Sequence, residues 1–232
     1  MSVWQAWCLP PRVVCKRMQT IAVIDYGMGN LRSVTKALEH VAAKNDKVIL
    51  SASESELAKA DKIVFPGQGA ARDCMQAIDE CALRETILEA ARSKPFLGIC
   101  MGMQVLVHAS EENQGTQLMG FYPGEVRYFG DNLTEANGER LKVPHMGWNE
   151  VHQTREHPLW HKIEDRSRFY FVHSYYLETE SPDLEVGNCH YGRTFTCAVA
   201  KDNVFALQCH PEKSADAGLQ LLTNFVEWDG QA

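Results

Sequence analysis

The 232-residue chain predicts an α/β fold: a mostly parallel, doubly wound sheet with helices on both faces, followed by a strand-rich second half. Three observations carry that expectation. Short runs that are apolar throughout recur along the first half, and between them apolar residues keep a helical period. Beyond about residue 121, aromatic and β-branched runs alternate with Gly, Asn and Asp, the pattern of strands joined by turns. Strands apolar on both sides need cover on both faces, which the connecting helices of a parallel sheet supply.

In chain order, "TIAVIDY" from Thr20 is the first strand, and Leu31, Val34, Leu38 and Val41 repeat on one face of a helix. "KVIL" and "KIVF" are further strands, the second running into Pro66-Gly67. The stretch 72–93, with Met75, Ile78, Ala82, Ile87 and Ala91 in phase, reads as one long helical segment, and "PFLGIC" as the strand after it. "GEVRYF", "RFYFVHSYYLE", "TFTCAVA" and "VFALQCH" are the strands of the second half, closed by a helix over 215–228. No repeat, linker or low-complexity run divides the chain, so residues 18–232 form one domain. Residues 1–17, with a Pro-Pro break ahead of a second methionine at Met18, read as a dispensable extension.

Composition excludes several classes. With 45% apolar and 23% charged residues the chain is globular rather than disordered or fibrous. A formal net charge of −7 and the lack of a basic stripe argue against nucleic acid or anionic membrane as partner. No apolar run reaches the roughly 18 residues of a membrane span. The eight cysteines are scattered with no CxxC pair, which places the chain in a reducing cytoplasm with most thiols in the core. The nine histidines form no HExxH or Cys/His zinc spacing, so neither a metal nor another cofactor is expected.

Chemistry concentrates in three motifs. Gly98-Ile99-Cys100-Met101-Gly102, between a strand and a helix-like run, has the spacing of a nucleophile elbow with Cys in place of Ser. The elbow sets the sulfur near a helix N-terminus, and the following backbone N–H faces an oxyanion; the plain alternative is a buried strand thiol. "LQCHPEKS" supplies His210 as base and Glu212 to orient it, read as alternate residues of one strand face, with Cys209 turned into the core. By itself His-x-Glu is an ordinary solvated pair. "FPGQGAARD", a strand ending in glycines, lacks the phosphate-binding patterns and suits an oxyanion site, although alone it is only a turn.

With "GICMGMQ", "QCHPEKS" and "PGQGA" assembled, residues 20–228 resemble class I glutamine amidotransferases. Among these they look like the glutaminase subunits of imidazole glycerol phosphate synthases, on "DYGMGNLRSV", "VPHMGWNEV" and "FYFVHSYY". The resemblance implies that fold, Cys100 as nucleophile, His210 as general acid/base and Glu212 as its partner. It implies glutamine bound by Gly67, Gly69, Gln104, Glu112, His173, Ser174 and Tyr175. Asn30, Trp148, Tyr170 and Lys213 would face a (β/α)₈-barrel cyclase that receives the ammonia, the activity being stimulated when the cyclase is liganded. The family's oxyanion segment most often reads PGVGA. Gln68 stands here in the apolar position and, by the resemblance, bears on a peptide flip of that segment rather than on the chemistry. Taken singly, His145 and Trp148 also suit core and turn, Tyr170 core, Asn30 a helix cap and Lys213 solvent. Two other functions stay open: ammonia supply to a different acceptor synthase, and a non-enzymatic subunit, which the presence of Cys100, His210 and Glu212 disfavours.

Overall fold

The computed structural model describes residues 18–179 and 181–231, so the extension read for 1–17 lies outside the described residues. The first half alternates as expected: β1 (Thr20–Ile24), α1 (Leu31–Val41), β2 (Lys47–Ser51), α2 (Glu54–Lys59), β3 (Lys62–Gly67), α3 (Ala71–Glu80), α4 (Arg84–Ser93), β4 (Phe96–Cys100) and α5 (Met101–Gln104). The second half contributes β5 (Ala109–Ser110), β6 (Thr116–Gln117), β7 (Glu125–Tyr128), β8 (His145–Glu150), β9 (His152–Gln153), β10 (Arg168–His173), β11 (Tyr175–Glu178), β12 (Glu185–His190), β13 (Thr194–Lys201), β14 (Val204–Leu207) and α6 (Ala215–Glu227).

The main sheet runs β2-β1-β3-β4-β14-β13-β11-β7-β5-β6. Its first five strands are parallel, and β13, β11 and β7 then add on antiparallel. Every residue of β3 and β4 is buried, so both faces of the parallel block are covered. α1 packs on α6, and α2 on α4. β8 and β10 form a separate antiparallel ribbon, with Trp148 opposite Tyr170 and His145 opposite His173.

Three expectations are corrected. The segment 72–93 is two helices, because the chain breaks at Ala82 with φ +53°. There the Leu83 N–H reaches back to the Ile78 carbonyl at 3.0 Å, a 6→1 closure usually marked by glycine, while Leu83 itself is buried. "RFYFVHSYYLE" is two strands that part at Ser174 and join different sheets. "VFALQCH" leaves the sheet after Leu207, and the His210 N–H bonds instead to the Tyr170 carbonyl at 2.9 Å. The short α2 and the strands β8, β9 and β12 carry too weak a period to be read in advance.

The core beneath the second half is aromatic. Phe205 on β14 is fully buried, 5.2 Å from the Trp160 ring and 4.8 Å from that of His157. Phe205→Ala opens a cavity there and is expected to lower stability by about 3–5 kcal/mol, read from urea unfolding.

Candidate active site

The carboxyl ends of β1, β3, β4 and β14 lie side by side, the edge at which open α/β sheets hold their ligands. Cys100, the last residue of β4, has φ +55° and ψ −109°, a backbone that L-residues avoid and that costs of order 1–3 kcal/mol. Its glycine neighbours have steric reasons. A Cβ on Gly102 would come within 1.8 Å of the Phe65 carbonyl oxygen, and one on Gly98 within 2.7 Å of the Gly102 oxygen. The turn is possible only because both side chains are missing. α5 is a single turn of helix, shorter than the sequence suggests.

Gly67 pairs with Cys100 in the β3–β4 ladder, and a Cβ there would lie 2.3 Å from the Tyr26 hydroxyl. After it the segment bends, with Gly69 at φ +99°. The exposed Gln68 has its carbonyl held by the Cys74 thiol at 3.5 Å.

His210 and Glu212 do come together, but not as alternate residues of a strand. His210 precedes a 3₁₀ turn, Pro211–Lys213, and the turn brings Glu212 back so that His210 Nδ1–H donates to Oε1 at 2.9 Å. Both side chains are almost wholly buried. Burial opposes the imidazolium, yet the Cys100 sulfur on one side and the Glu212 carboxylate on the other outweigh it, and the pKa is pushed up to about 10. The second carboxylate oxygen, Oε2, is buried and has no hydrogen-bond partner among the described residues. Cys209 points into the core, where burial raises its pKa.

These groups open on a cleft of about 590 Å³. Gly69, Gln104, Glu112, His173, Ser174 and Tyr175 all line it together with Cys100, His210 and Lys213. Gly67 stands behind the wall. Glu112 Oε2 accepts the Ala71 N–H at 2.7 Å, and burial raises its carboxyl pKa while that N–H opposes the rise. Sequence reading missed Gln208, a fully buried residue whose Nε2–H points at Cys100 Sγ at 3.5 Å. Nothing in "LQCHPEKS" marks the glutamine as other than core.

The profile of the class-I glutamine amidotransferases matches residues 22–228. The chain belongs to that family. This amidotransferase is 57% identical over 214 residues to "Imidazole glycerol phosphate synthase subunit HisH 1" of Pseudomonas aeruginosa, covering 92% of this chain and 99% of the relative. It is 60% identical over 210 residues to "Imidazole glycerol phosphate synthase subunit HisH" of Thiobacillus denitrificans, covering 90% and 91% respectively. Its fold matches that of PurLQS from Thermotoga maritima with a TM-score of 0.67 at 18% identity, over 91% of this chain and 99% of that one.

At the mouth of the cleft the amidotransferase carries an exposed cluster. Trp148 is 44% and Met146 62% exposed. The Trp148 ring meets Tyr170 edge-on at 6.2 Å, and Lys213 Nζ lies 5.8 Å from the Tyr170 ring. Asn30 starts α1 beside the cleft-lining Gly29, with no side-chain cap bond among the described residues.

Two outcomes follow from the geometry. Gly102→Ala drives a methyl group into the Phe65 carbonyl and is expected to cost more than about 3 kcal/mol or to prevent folding, by thermal unfolding. In Glu212→Gln the His210 midpoint, followed by NMR, is expected to fall from about 10. A raised folded pKa stabilises below the unfolded value of about 6.5 and loses that effect as pH climbs through the folded one. The stability difference between wild type and Glu212→Gln should therefore be largest near pH 6 and shrink toward pH 10.

Proposed function

We propose that this chain hydrolyses glutamine to glutamate and ammonia through a thioester on Cys100, and delivers the ammonia to the cyclase subunit of an imidazole glycerol phosphate synthase in histidine biosynthesis. The observation that carries the chemistry is the strained elbow at Cys100 facing the buried His210–Glu212 pair across one cleft. The curated relatives, with matching lengths and the printed name of that synthase's subunit, support the acceptor.

In this reading the Cys100 thiolate attacks the side-chain amide carbon of glutamine. The oxyanion is met by backbone N–H groups, that of Met101 after the nucleophile and those of the glycine segment 67–69. His210, charged beside the sulfur, protonates the departing nitrogen; ammonia leaves and the thioester remains. His210, now neutral, takes a proton from water, which attacks the thioester to give glutamate and restore the thiolate. Glu212 holds the imidazole with Nδ1–H toward itself and Nε2 toward the reaction. The Glu112 carboxylate suits the ammonium group of the substrate, and Gln104 with the backbone at His173, Ser174 and Tyr175 suits its remaining polar groups.

The Trp148–Tyr170–Lys213 cluster with Asn30 is the proposed docking face for the cyclase, a (β/α)₈ barrel through which ammonia passes without protonation in bulk water. The products there are imidazole glycerol phosphate and the aminoimidazole carboxamide ribotide. The setting is cytoplasmic; among the described residues no helix is long and apolar enough to cross a membrane. Gln68 beside the cleft acts on the resting orientation of its peptide.

Glutamate release from glutamine is expected to be low for the isolated chain and to rise when the histidine-pathway cyclase and its nucleotide ligand are added. Cys100→Ala should abolish it, a loss of at least about 10³-fold. No stimulation with the thiol intact would direct the ammonia to a different acceptor synthase.

A further inference from the structure

The strand β8 alternates in a way that the docking face alone does not explain. Met146, Trp148 and Glu150 point outward, while His145 is buried and Asn149 half-buried on the inner side. The His145 ring is stacked between Tyr191, at 4.1 Å, and Phe171, at 4.9 Å. A histidine held like a core aromatic still has two ring nitrogens to satisfy, and both have partners here.

The partners form one connected chain. His173 Nδ1 lies 2.7 Å from the Tyr175 carbonyl oxygen, which only accepts, so Nδ1 carries the proton and Nε2 is the acceptor. His145 Nδ1, 2.9 Å away, must then donate to that Nε2, which leaves His145 Nε2 to accept from Asn149 Nδ2–H at 3.2 Å. Burial pulls both imidazoles down, to about 4 for His145 and about 3 for His173, so both stay neutral and neither tautomer is free to change.

The Tyr175 oxygen also accepts from the other side. Gln104 Nε2 donates one proton to it at 3.2 Å and the other to Gln208 Oε1 at 2.7 Å. That fixes the Gln208 carboxamide with its nitrogen toward Cys100 Sγ at 3.5 Å. The connection therefore runs from the inner side of the ribbon, through the cleft wall, to the reactive sulfur. An isolated buried glutamine has two carboxamide orientations, and only this one presents N–H to the sulfur.

We propose that Gln208 is a further residue of the catalytic site, holding the Cys100 sulfur through its carboxamide N–H, and that His145 is a positioning residue which sets that carboxamide through His173, the Tyr175 carbonyl and Gln104. An N–H aimed at sulfur favours thiolate over thiol, as an oxyanion donor favours its anion. The other titratable groups facing Cys100 are His210, with Glu212 behind it, and Tyr26, Cys74 and Cys209. Burial raises the last three, Cys74 to about 11, so these stay neutral near pH 7.

Only the kinetic arm of the test rests on the glutaminase reading; the reactivity of the thiol is measured without substrate. Cys100 is alkylated with iodoacetamide across pH in the full chain, and the modified peptide is quantified by mass spectrometry. Gln208→Glu places a carboxylate where the donor was, and its alkylation midpoint should rise by about one pH unit or more. In the complex with the cyclase its kcat should fall about 10-fold or more, with a smaller change in KM. Gln208→Met, uncharged and of similar volume, should shift the midpoint in the same direction and serves if the Glu variant does not fold. His145→Phe keeps the stacked ring and removes the chain; it should move the midpoint the same way by a smaller amount. Nitrogen NMR should find His145 and His173 both protonated on Nδ1. A midpoint unchanged in folded Gln208 variants, or His173 protonated on Nε2, overturns the proposal. If wild type with cyclase releases no glutamate, the glutaminase reading fails while the alkylation result still decides the role of Gln208.

Discussion

The contact between Gly102 and the Phe65 carbonyl sets the terms for the rest of the site. α5 can start directly at the end of β4 only if its second residue lies flat against β3, and a Cβ there would be 1.8 Å from that oxygen. The tight start forces Cys100 into its positive-φ backbone, and that backbone turns the thiol out of the sheet toward His210. The strain is held by the surroundings: β3 and β4 are buried throughout and locked in parallel register up to the Gly67–Cys100 pair. A close-packed sheet absorbs the local cost, and Cys100 sits where that strand ends.

Charge at the site depends on the same burial. An imidazole as enclosed as His210 would be neutral without its neighbours; between the Cys100 sulfur and Glu212 it favours the cation. His173, also buried and lining the same cleft, meets the Tyr175 carbonyl and other histidines instead, and burial pushes it down to about 3. One cleft thus holds a charged and a neutral imidazole, separated by what each one faces.

Much of this is legible in the sequence because it follows short-range rules. Apolar runs and helical spacing mark out the parallel block, and GxCxG between a strand and a helix-like run singles out Cys100 for steric reasons the structure bears out at Gly98 and Gly102. What stays hidden depends on long-range partners. Ala82 takes a backbone usually left to glycine because Leu83 gains a buried site, and nothing local announces it. Strand alternation points to the proximity of His210 and Glu212 on the wrong grounds, since a 3₁₀ turn is what brings them together. The Gln208 carboxamide takes its orientation from Gln104 on one side and Cys100 on the other, both distant in sequence.

The division of residues 168–178 between two sheets has a mechanical meaning. β10 belongs to the ribbon and β11 to the main sheet, and Ser174 is the point where the chain passes from one to the other. The cleft wall is therefore where two separate β-ladders meet, tied across by the Asn149–His190 and His173–Tyr175 hydrogen bonds. The exposed Trp148 and Met146 lie on β8, whose ladder partner β10 runs through Ser174 straight into the cleft wall, so a load on them has a short path to that wall.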